Sequence, residues 1–257
     1  MENGATSRLF GRWALGVILL LTTYVSGAAL AGEVKVAVAA NFNEPVKEIA
    51  PLFEKAAGHK LVLSFGATGQ FYAQIAQGAP FEILLSADKS TPAKAVSEGY
   101  GVPGTQFTYA IGKLVLYSKT PGFVKGEPTL RTGRFEKIAI ANPAVAPYGI
   151  AGDETLKALG IFETLTPKIV RGNTIAQTYE FIETGNAELG FVALSQVMFA
   201  SGGSRWIVPA NLYTEIAQDA VLLRAGNKNE VARAFLAFLR GTEARAVIEK
   251  YGYGIAR

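Results

Sequence analysis

Four short segments hold the residues of this chain that are best suited to chemistry, and they are rich in uncharged hydrogen-bond donors. They are 39–42 (AANF), 64–70 (SFGATGQ), 142–149 (NPAVAPYG) and 172–178 (GNTIAQT). Each follows an apolar strand pattern and leads into a helical one. The first N–H groups of a helix have no intrahelical acceptor and lie at its positive end. Several helix starts that meet at one place therefore predict an anion site built without Lys or Arg.

Three side chains and one backbone group are the candidate donors. Asn41 offers its side-chain amide or its backbone N–H, and an ordinary helix N-cap is its alternative role. Thr68 offers a hydroxyl beside Gly69, where a missing Cβ lets the backbone come close to a ligand. Tyr148 stands just before a predicted helix, and its ring either turns its hydroxyl into a cleft or packs in the core. Ile175 can contribute only its N–H.

An enzymatic interpretation depends on Ser86, Asp88 and His59, because His59 is the single His of the chain. His59 lies in a turn after a predicted helix, where a surface role at the helix C-terminus is natural. There is no Gly-x-Ser-x-Gly elbow, and segment 64–70 lacks the Lys and the third Gly of nucleotide-binding loops. We therefore predict a protein that is not an enzyme. A secreted α/β hydrolase that uses Ser86 or Thr68 is the less favoured alternative.

Composition excludes several kinds of site. The chain has no Cys, which excludes a disulfide framework and thiolate chemistry. With one His and no Cys, neither a zinc nor a copper site is expected, so we predict no cofactor and no direct metal-ion ligand. The net charge is +4, and the Lys and Arg residues are scattered. They do not form the basic stripe of a nucleic-acid-binding protein.

The N-terminus has the three parts of a secretory signal peptide. Arg8 and Arg12 supply the basic region, residues 13–21 are apolar, and Ala-Leu-Ala at 29–31 is a cleavage pattern. We predict cleavage between Ala31 and Gly32. The strongest apolar run is shorter than the roughly 20 residues that span a bilayer. No Cys follows the cleavage site to carry a lipid, so the sequence predicts a mature chain of 226 residues (257 minus 31) in the periplasm.

The mature sequence alternates strand and helix patterns, which predicts mixed sheets with helices on both faces. Strands are predicted at 33–40, 60–65, 82–87, 137–141, 168–171 and 189–194, and helices at 45–57, 69–77, 91–98, 149–159, 174–184, 229–239 and 242–251. A Pro/Gly-rich loop is predicted at 120–132. Two longer extended runs, 107–118 and 214–224, flank the second α/β series.

These two extended runs predict crossovers between two lobes. The first lobe would contain residues 32–112 and 219–257, and the second lobe residues 113–218. In open α/β sheets a ligand binds at the carboxyl ends of the strands, which places the site in the cleft between the lobes.

Over nearly all of its mature length the chain resembles the periplasmic molybdate-binding proteins of ABC transporters, the ModA family. The resemblance rests on VAVAANF, on LSFGATGQFYAQIAQGAPFEILLSADKS, on ANPAVAPYG, on ETGNAELGFVALSQ and on EKYGYGI. It implies a two-lobe periplasmic binding protein of type II, monomeric, that captures molybdate or tungstate and delivers it to a membrane permease.

The resemblance also implies which residues hold the dianion. By position they are Ala40 and Asn41, Thr68, Tyr148 and the N–H of Ile175. Some members carry a binding Tyr after the Gly-Phe-Val strand, where this chain has Ala193, and others carry it in the Pro-Tyr-Gly loop, as Tyr148 does here. A usual Ser or Thr of the first segment is replaced by Ala40. Sulfate or another oxyanion is the alternative ligand.

Overall fold

A computed structural model describes residues 32–256 of the chain. The predicted signal peptide, 1–31, lies outside the described residues. Within residues 32–256, no helix combines the length and the apolar character that crossing a membrane requires.

Strands and helices alternate along most of the described chain. The strands are β1 (Glu33–Ala39), β2 (Lys60–Gly66), β3 (Ile83–Leu85), β4 (Phe107–Gly112), β5 (Leu114–Ser118), β6 (Ile138–Ala141), β7 (Ile169–Gly172), β8 (Leu189–Ala193), β9 (Ser204–Ile207) and β10 (Ile216–Leu222). The α-helices are α1 (Asn43–Ala57), α2 (Thr68–Ala76), α3 (Ser90–Ser97), α4 (Glu127–Thr132), α5 (Pro147–Ala158), α6 (Phe162–Leu165), α7 (Ile175–Glu183), α8 (Leu194–Val197), α9 (Glu230–Leu239) and α10 (Thr242–Lys250). Short 3-10 helices lie at Ala40–Phe42, Thr166–Lys168, Ala210–Leu212 and Arg224–Gly226.

The strands form two five-stranded sheets of the same design. The first has the order β2-β1-β3-β10-β4, with β1 parallel to β2 and β3, and β10 antiparallel to β3 and β4. The second has the order β7-β6-β8-β5-β9, with β6 parallel to β7 and β8, and β5 antiparallel to β8 and β9. Helices flank both sheets, so the predicted α/β fold with two mixed sheets is confirmed.

The chain passes between the sheets twice. One connection joins β4 to β5, and the other joins β9 to β10. Within the extended run predicted over 107–118, Lys113 separates two strands that lie in different sheets. Residues 216–218, which the predicted boundary at 219 assigns to the second lobe, pair with β4 in the first sheet. The numerical limits of the lobes otherwise stay a prediction.

Each lobe has its own apolar core. In the first, Val46, Ile49 and Phe53 lie on one face of α1 and pack with β1 and β3, as their spacing of three and four residues predicts. In the second, buried residues of β5, β6 and β8 pack with α5. Ala39, Ala40 and Ala87 of the first lobe join this second core, so the two lobes touch where the site was predicted.

The sequence prediction missed four short elements. β9 has only four residues, and they alternate between half-buried and exposed positions at a sheet edge, so its pattern is too short to predict a strand. α4 lies in the segment predicted as a Pro/Gly-rich loop. Its Pro128 is in the first turn of the helix, where the missing N–H of Pro costs nothing. The four-residue helices α6 and α8 were missed as well.

Candidate functional site

A small cavity lies where the carboxyl ends of β1, β2 and β3 meet the starts of α5 and α7. About 210 Å³ of empty space is lined by Ala39, Ala40, Asn41, Gly66, Ala67, Thr68, Ala87, Ala146, Pro147, Tyr148 and Ile175. The structure therefore brings together all the residues that the sequence nominated as ligands, which are Ala40, Asn41, Thr68, Tyr148 and Ile175. None of the described residues that line the cavity carries a formal charge.

Helix starts from both lobes face this cavity. Thr68 is the first residue of α2, Ile175 is the first residue of α7, and Tyr148 is in the first turn of α5. Ala40 begins a 3-10 helix directly after β1. The N–H groups at these helix starts have no intrahelical acceptor, and the positive ends of the helix dipoles meet at this cavity. The cavity is thus electropositive without containing a cation.

The hydroxyl of Thr68 is prepared to donate. The side chain is buried, and its Oγ1 accepts a hydrogen bond from the N–H of Ala87 at 3.0 Å. Ser86 Oγ lies 3.5 Å away, at the limit of a hydrogen bond. A hydroxyl has one proton and two lone pairs, so the protein occupies the oxygen as an acceptor and leaves the proton of Thr68 available.

The hydroxyl of Tyr148 is arranged in the same way from the other lobe. Tyr148 is 1% exposed, and its oxygen accepts a hydrogen bond from Nε2 of Gln218 at 3.1 Å. Burial raises the pKa of Tyr148 well above its usual 10, so the phenol keeps its proton at neutral pH. Tyr148 is therefore both a packed core residue and a hydroxyl at the cavity wall, the two roles that the sequence left open.

The side-chain amide of Asn41 does not have a free donor. Its Nδ2 donates to Oε1 of Gln218 and to the hydroxyl of Tyr253, both at 2.9 Å. An amide nitrogen has only two protons. Any donation from Asn41 to an anion must therefore come from its backbone N–H, beside that of Ala40.

A hydrogen-bond network behind Asn41 fixes this part of the wall. The carbonyl oxygen of Asn41 accepts from Ser195 Oγ and lies 2.8 Å from the hydroxyl of Tyr253. Tyr253 also packs edge-on against Phe42. Burial is the largest influence on the hydroxyl of Tyr253, and its pKa is raised to about 12. The network therefore stays protonated and neutral at physiological pH.

Gly69 makes a contact between the two lobes through its backbone N–H. That group donates to the carbonyl oxygen of Val145 in the other lobe at 3.0 Å, and a Cβ on Gly69 would lie 3.0 Å from Val145 Cα. From the sequence, this glycine is expected to let a ligand approach the backbone closely. In the structure, the close approach that it permits is that of the opposite lobe.

The charged groups near the cavity have other partners. Arg171, four residues before Ile175, makes a bidentate ion pair with Asp153 at 2.8 and 3.0 Å and ties β7 to α5. A larger adjacent groove of about 780 Å³ carries the carboxylates of Asp88, Glu154 and Glu215 against the one cation of Lys89. Its charge is unfavourable for a dianion, so the smaller cavity is the better anion site.

The residues of the hydrolase alternative do not form a catalytic triad. Ser86 is fully buried and exchanges hydrogen bonds with Asp88 at 3.2 and 3.3 Å. His59 accepts from the N–H of Gly32 at 3.1 Å, before the start of β2. The cavity lies at the far end of that seven-residue strand, which is about 20 Å away at 3.3 Å per residue. His59 cannot serve as a base for Ser86 or Thr68.

Sequence reasoning missed Gln218, Tyr109 and Ser195. Gln218 is completely buried in β10, a strand buried along its whole length. The signal was present, since two adjacent polar residues, Gln218 and Asp219, interrupt the apolar pattern IAQDAVL. Buried polar side chains require partners, and the partners of Gln218 are at the cavity. Among the described residues, no cluster of three or more His, Asp or Glu side chains could hold a metal ion.

The chain is similar to known proteins over most of its length. The family described as bacterial extracellular solute-binding protein matches residues 34–254. The molybdate-binding protein ModA of Rhodobacter capsulatus is 56% identical over 225 residues, which cover 88% of this chain and 89% of the relative. The ModA protein of Azotobacter vinelandii is 51% identical over 243 residues, which cover 93% and 96%.

The solved structure of the Azotobacter vinelandii periplasmic molybdate-binding protein has the same fold. It superimposes with a TM-score of 0.84 at 40% identity, covering 87% of this chain and 100% of that one. The two mixed sheets, the uncharged cavity at their strand ends and these similarities lead to one conclusion. The chain belongs to the bacterial extracellular solute-binding proteins, as a member of the ModA family of molybdate-binding proteins.

Proposed function

We propose that this protein captures molybdate, and tungstate in the same manner, in the uncharged cavity and delivers it from the periplasm to the permease of an ABC transporter. The observation that carries the proposal is the matched pair of buried hydroxyls. Thr68 and Tyr148 each accept a hydrogen bond from the protein, and each keeps a proton to donate. The relatives named as molybdate-binding proteins support the choice of ion.

The donor set favours a fully deprotonated oxyanion. The hydroxyls of Thr68 and Tyr148 and the N–H groups of Ala40, Asn41 and Ile175 all donate, and the lining offers no carboxylate to accept. Hydrogen phosphate would bring a proton that lacks an acceptor, and an unsatisfied buried polar group costs about 1–3 kcal/mol. Size then separates the larger tetrahedral ions from sulfate. The cavity thus selects among oxyanions first by whether they still carry a proton and second by their ionic radius.

The neutral character of the site also suits release. A buried charge left without its counter-ion is strongly destabilised, so a cation in the cavity would resist the departure of the dianion. Dipoles of helix ends and hydroxyls can return to water at lower cost. We infer a monomeric carrier whose lobes close over the ion and open at the permease, with no catalytic step.

Calorimetric titration of the purified protein tests the proposal. Molybdate and tungstate should bind at micromolar concentration or below, and sulfate and phosphate should not displace them at equal concentration. Absence of heat with molybdate would refute the proposal, and preferential sulfate binding would replace molybdate by sulfate as the cargo.

Matched variants connect this binding to the cavity. Thr68→Val should weaken it, whereas Thr155→Val should not, because the equally buried hydroxyl of Thr155 donates to a carbonyl within α5. Equal effects of the two changes would mean that the ion binds elsewhere. Hydrolysis of generic esters by the wild type would contradict the absence of catalysis.

A further inference from the structure

We propose that Gln218 is a positioning residue for the oxyanion: it holds the hydroxyl oxygen of Tyr148 as an acceptor, so that the phenol proton is directed to the ligand. The inference rests on the proposed function. It adds a residue of the first sheet, outside the cavity lining, to the machinery that determines affinity.

The contacts of Gln218 divide by their chemistry. Its Nε2 donates to the hydroxyl of Tyr148 at 3.1 Å. Its Oε1 accepts from Nδ2 of Asn41 at 2.9 Å. It also lies 3.1 Å from the hydroxyl of Tyr109, whose single proton is shared with the carbonyl oxygen of Ser86 at 3.0 Å. Because both partners of the oxygen supply protons, the amide group is held with its nitrogen toward Tyr148.

This orientation decides what Tyr148 can do. If the amide were reversed, its oxygen would face the phenol and compete with the ligand for the single phenolic proton. With nitrogen toward Tyr148, one lone pair of the phenol is occupied and Gln218 does not compete for the phenolic proton. The hydroxyl of Tyr253 is the neighbouring protein group that can accept this proton when no ligand is bound. Gln218 does not line the cavity and acts on the ligand through the hydroxyl of Tyr148, which makes it a positioning residue.

Gly112 provides the space for this contact. It ends β4 opposite β10, at the crossover to the second lobe. A Cβ at this position would overlap the hydroxyl of Tyr148 and lie 2.7 Å from Nε2 of Gln218. β4 and β10, the two strands next to the connections between the lobes, thus enclose the hydrogen bond from Gln218 to Tyr148 beside Gly112. The absence of a side chain at residue 112 is explained by that bond.

A double-mutant cycle on molybdate affinity tests the inference. The four proteins are the wild type, Gln218→Met, Tyr148→Phe and the double variant, and calorimetry gives each dissociation constant. Gln218→Met keeps the length of the side chain and should weaken binding about tenfold, the size of one hydrogen bond of about 1.4 kcal/mol. In the Tyr148→Phe background the same change should weaken binding less than about twofold, because residues in one network are not additive.

Independent effects would overturn the inference. If Gln218→Met costs the same factor with and without the Tyr148 hydroxyl, or costs nothing in the wild type, Gln218 does not act through Tyr148. Gln106→Met is the matched control, because Gln106 donates to Asp219 in the same sheet at 2.7 Å. It should change affinity by less than about twofold in both backgrounds, as expected for separate sites.

Two further readouts separate positioning from general damage. The unfolding temperature without ligand reports the structural loss of each variant separately from its affinity. If Gln218→Met does not fold, Tyr109→Phe takes its place in the cycle, since it removes one donor that orients the same amide. A wild type that fails to bind molybdate would refute the proposed function. A wild type that binds with an additive cycle would refute only the role of Gln218.

Discussion

The two lobes supply equivalent hydroxyls to the cavity but support them differently. Thr68 of the first lobe is held by the backbone N–H of Ala87, which follows a strand of the same sheet. Tyr148 of the second lobe is held by the side chain of Gln218, which lies in the first sheet. One half of the site is therefore complete within its own lobe, and the other half needs both lobes. Mutation of a supporting side chain should therefore affect Tyr148 more than Thr68, whose one side-chain neighbour, Ser86, lies at the 3.5 Å limit.

Removing both hydroxyls should have the largest effect on this arrangement. The variant that combines Thr68→Val with Tyr148→Phe loses one donor from each lobe. Its molybdate affinity should fall by about 3–6 kcal/mol, the sum of two hydrogen bonds to a charged group. Calorimetry or competition with a stronger ligand measures the loss. A loss well below the sum of the single variants would mean that the two halves are coupled and that the comparison between lobes fails.

Tyr148→Phe alone should have the next largest effect. A phenol is a stronger acid than an aliphatic hydroxyl and so the better donor to a dianion, which places the loss in the upper part of a range of ~1.5–3 kcal/mol. The matched control is Tyr117→Phe, whose hydroxyl donates to Glu183 at 3.0 Å outside the cavity. Unchanged affinity of Tyr148→Phe would leave Tyr148 with a packing role only.

Thr68→Val should weaken binding somewhat less, toward the lower part of the same range of ~1.5–3 kcal/mol. It should also lower the free energy of unfolding, because the N–H of Ala87 loses its acceptor and an unsatisfied buried donor costs about 1–3 kcal/mol. Denaturant titration of the ligand-free variant measures this second effect. Full stability with weakened binding would show that Ala87 finds another acceptor.

Alkaline pH should affect the site through three buried phenols, those of Tyr109, Tyr148 and Tyr253, and only far above neutral pH. Burial raises the pKa of Tyr148 and Tyr109 well above 10 and that of Tyr253 to about 12. The folded state therefore keeps protons that the unfolded chain loses near pH 10. This contribution to stability is complete below pH 10 and is lost as the pH rises toward 12.

The corresponding measurement is a series of unfolding temperatures together with affinities. Molybdate affinity should stay constant between pH 7 and about 9.5, since no hydroxyl of the cavity ionises there. A decline of affinity near pH 8 would contradict a raised phenol pKa. Tyr148→Phe should reduce any dependence that appears above pH 10 without abolishing it, because Tyr109 and Tyr253 remain, whereas Thr68→Val should leave it unchanged.

Most elements of the fold could be predicted, because their patterns are local. The spacing of Val46, Ile49 and Phe53 is enough to place α1, and the ends of the predicted strands agree with the structure to within a few residues. The extended run through Lys113 was divided between the two lobes because of its position before the second α/β series, and its own residue pattern does not show where the first strand ends. Both halves are apolar, and the partners of each half show that they belong to different sheets.

For the site, the location of the residues was predictable from the sequence, but the hydrogen bonds that they make were not. Every nominated residue lines the cavity, because strand-to-helix junctions are visible in the sequence and converge at one edge of an α/β sheet. Whether these residues hold molybdate stays a prediction. Which N–H and O–H groups remain free to bind a ligand was not predictable, since both side-chain protons of Asn41 are donated to Gln218 and Tyr253.

The sequence by itself determined the alternation of strands and helices, the four uncharged segments at their junctions and the absence of thiol chemistry. These follow from the periodicity and the residue types of short stretches. The tertiary structure alone decided which protons remain available, because the partners of Asn41 lie 177 and 212 residues away along the chain. A hydroxyl or amide has few protons, and only the neighbours brought together by folding determine where each one goes.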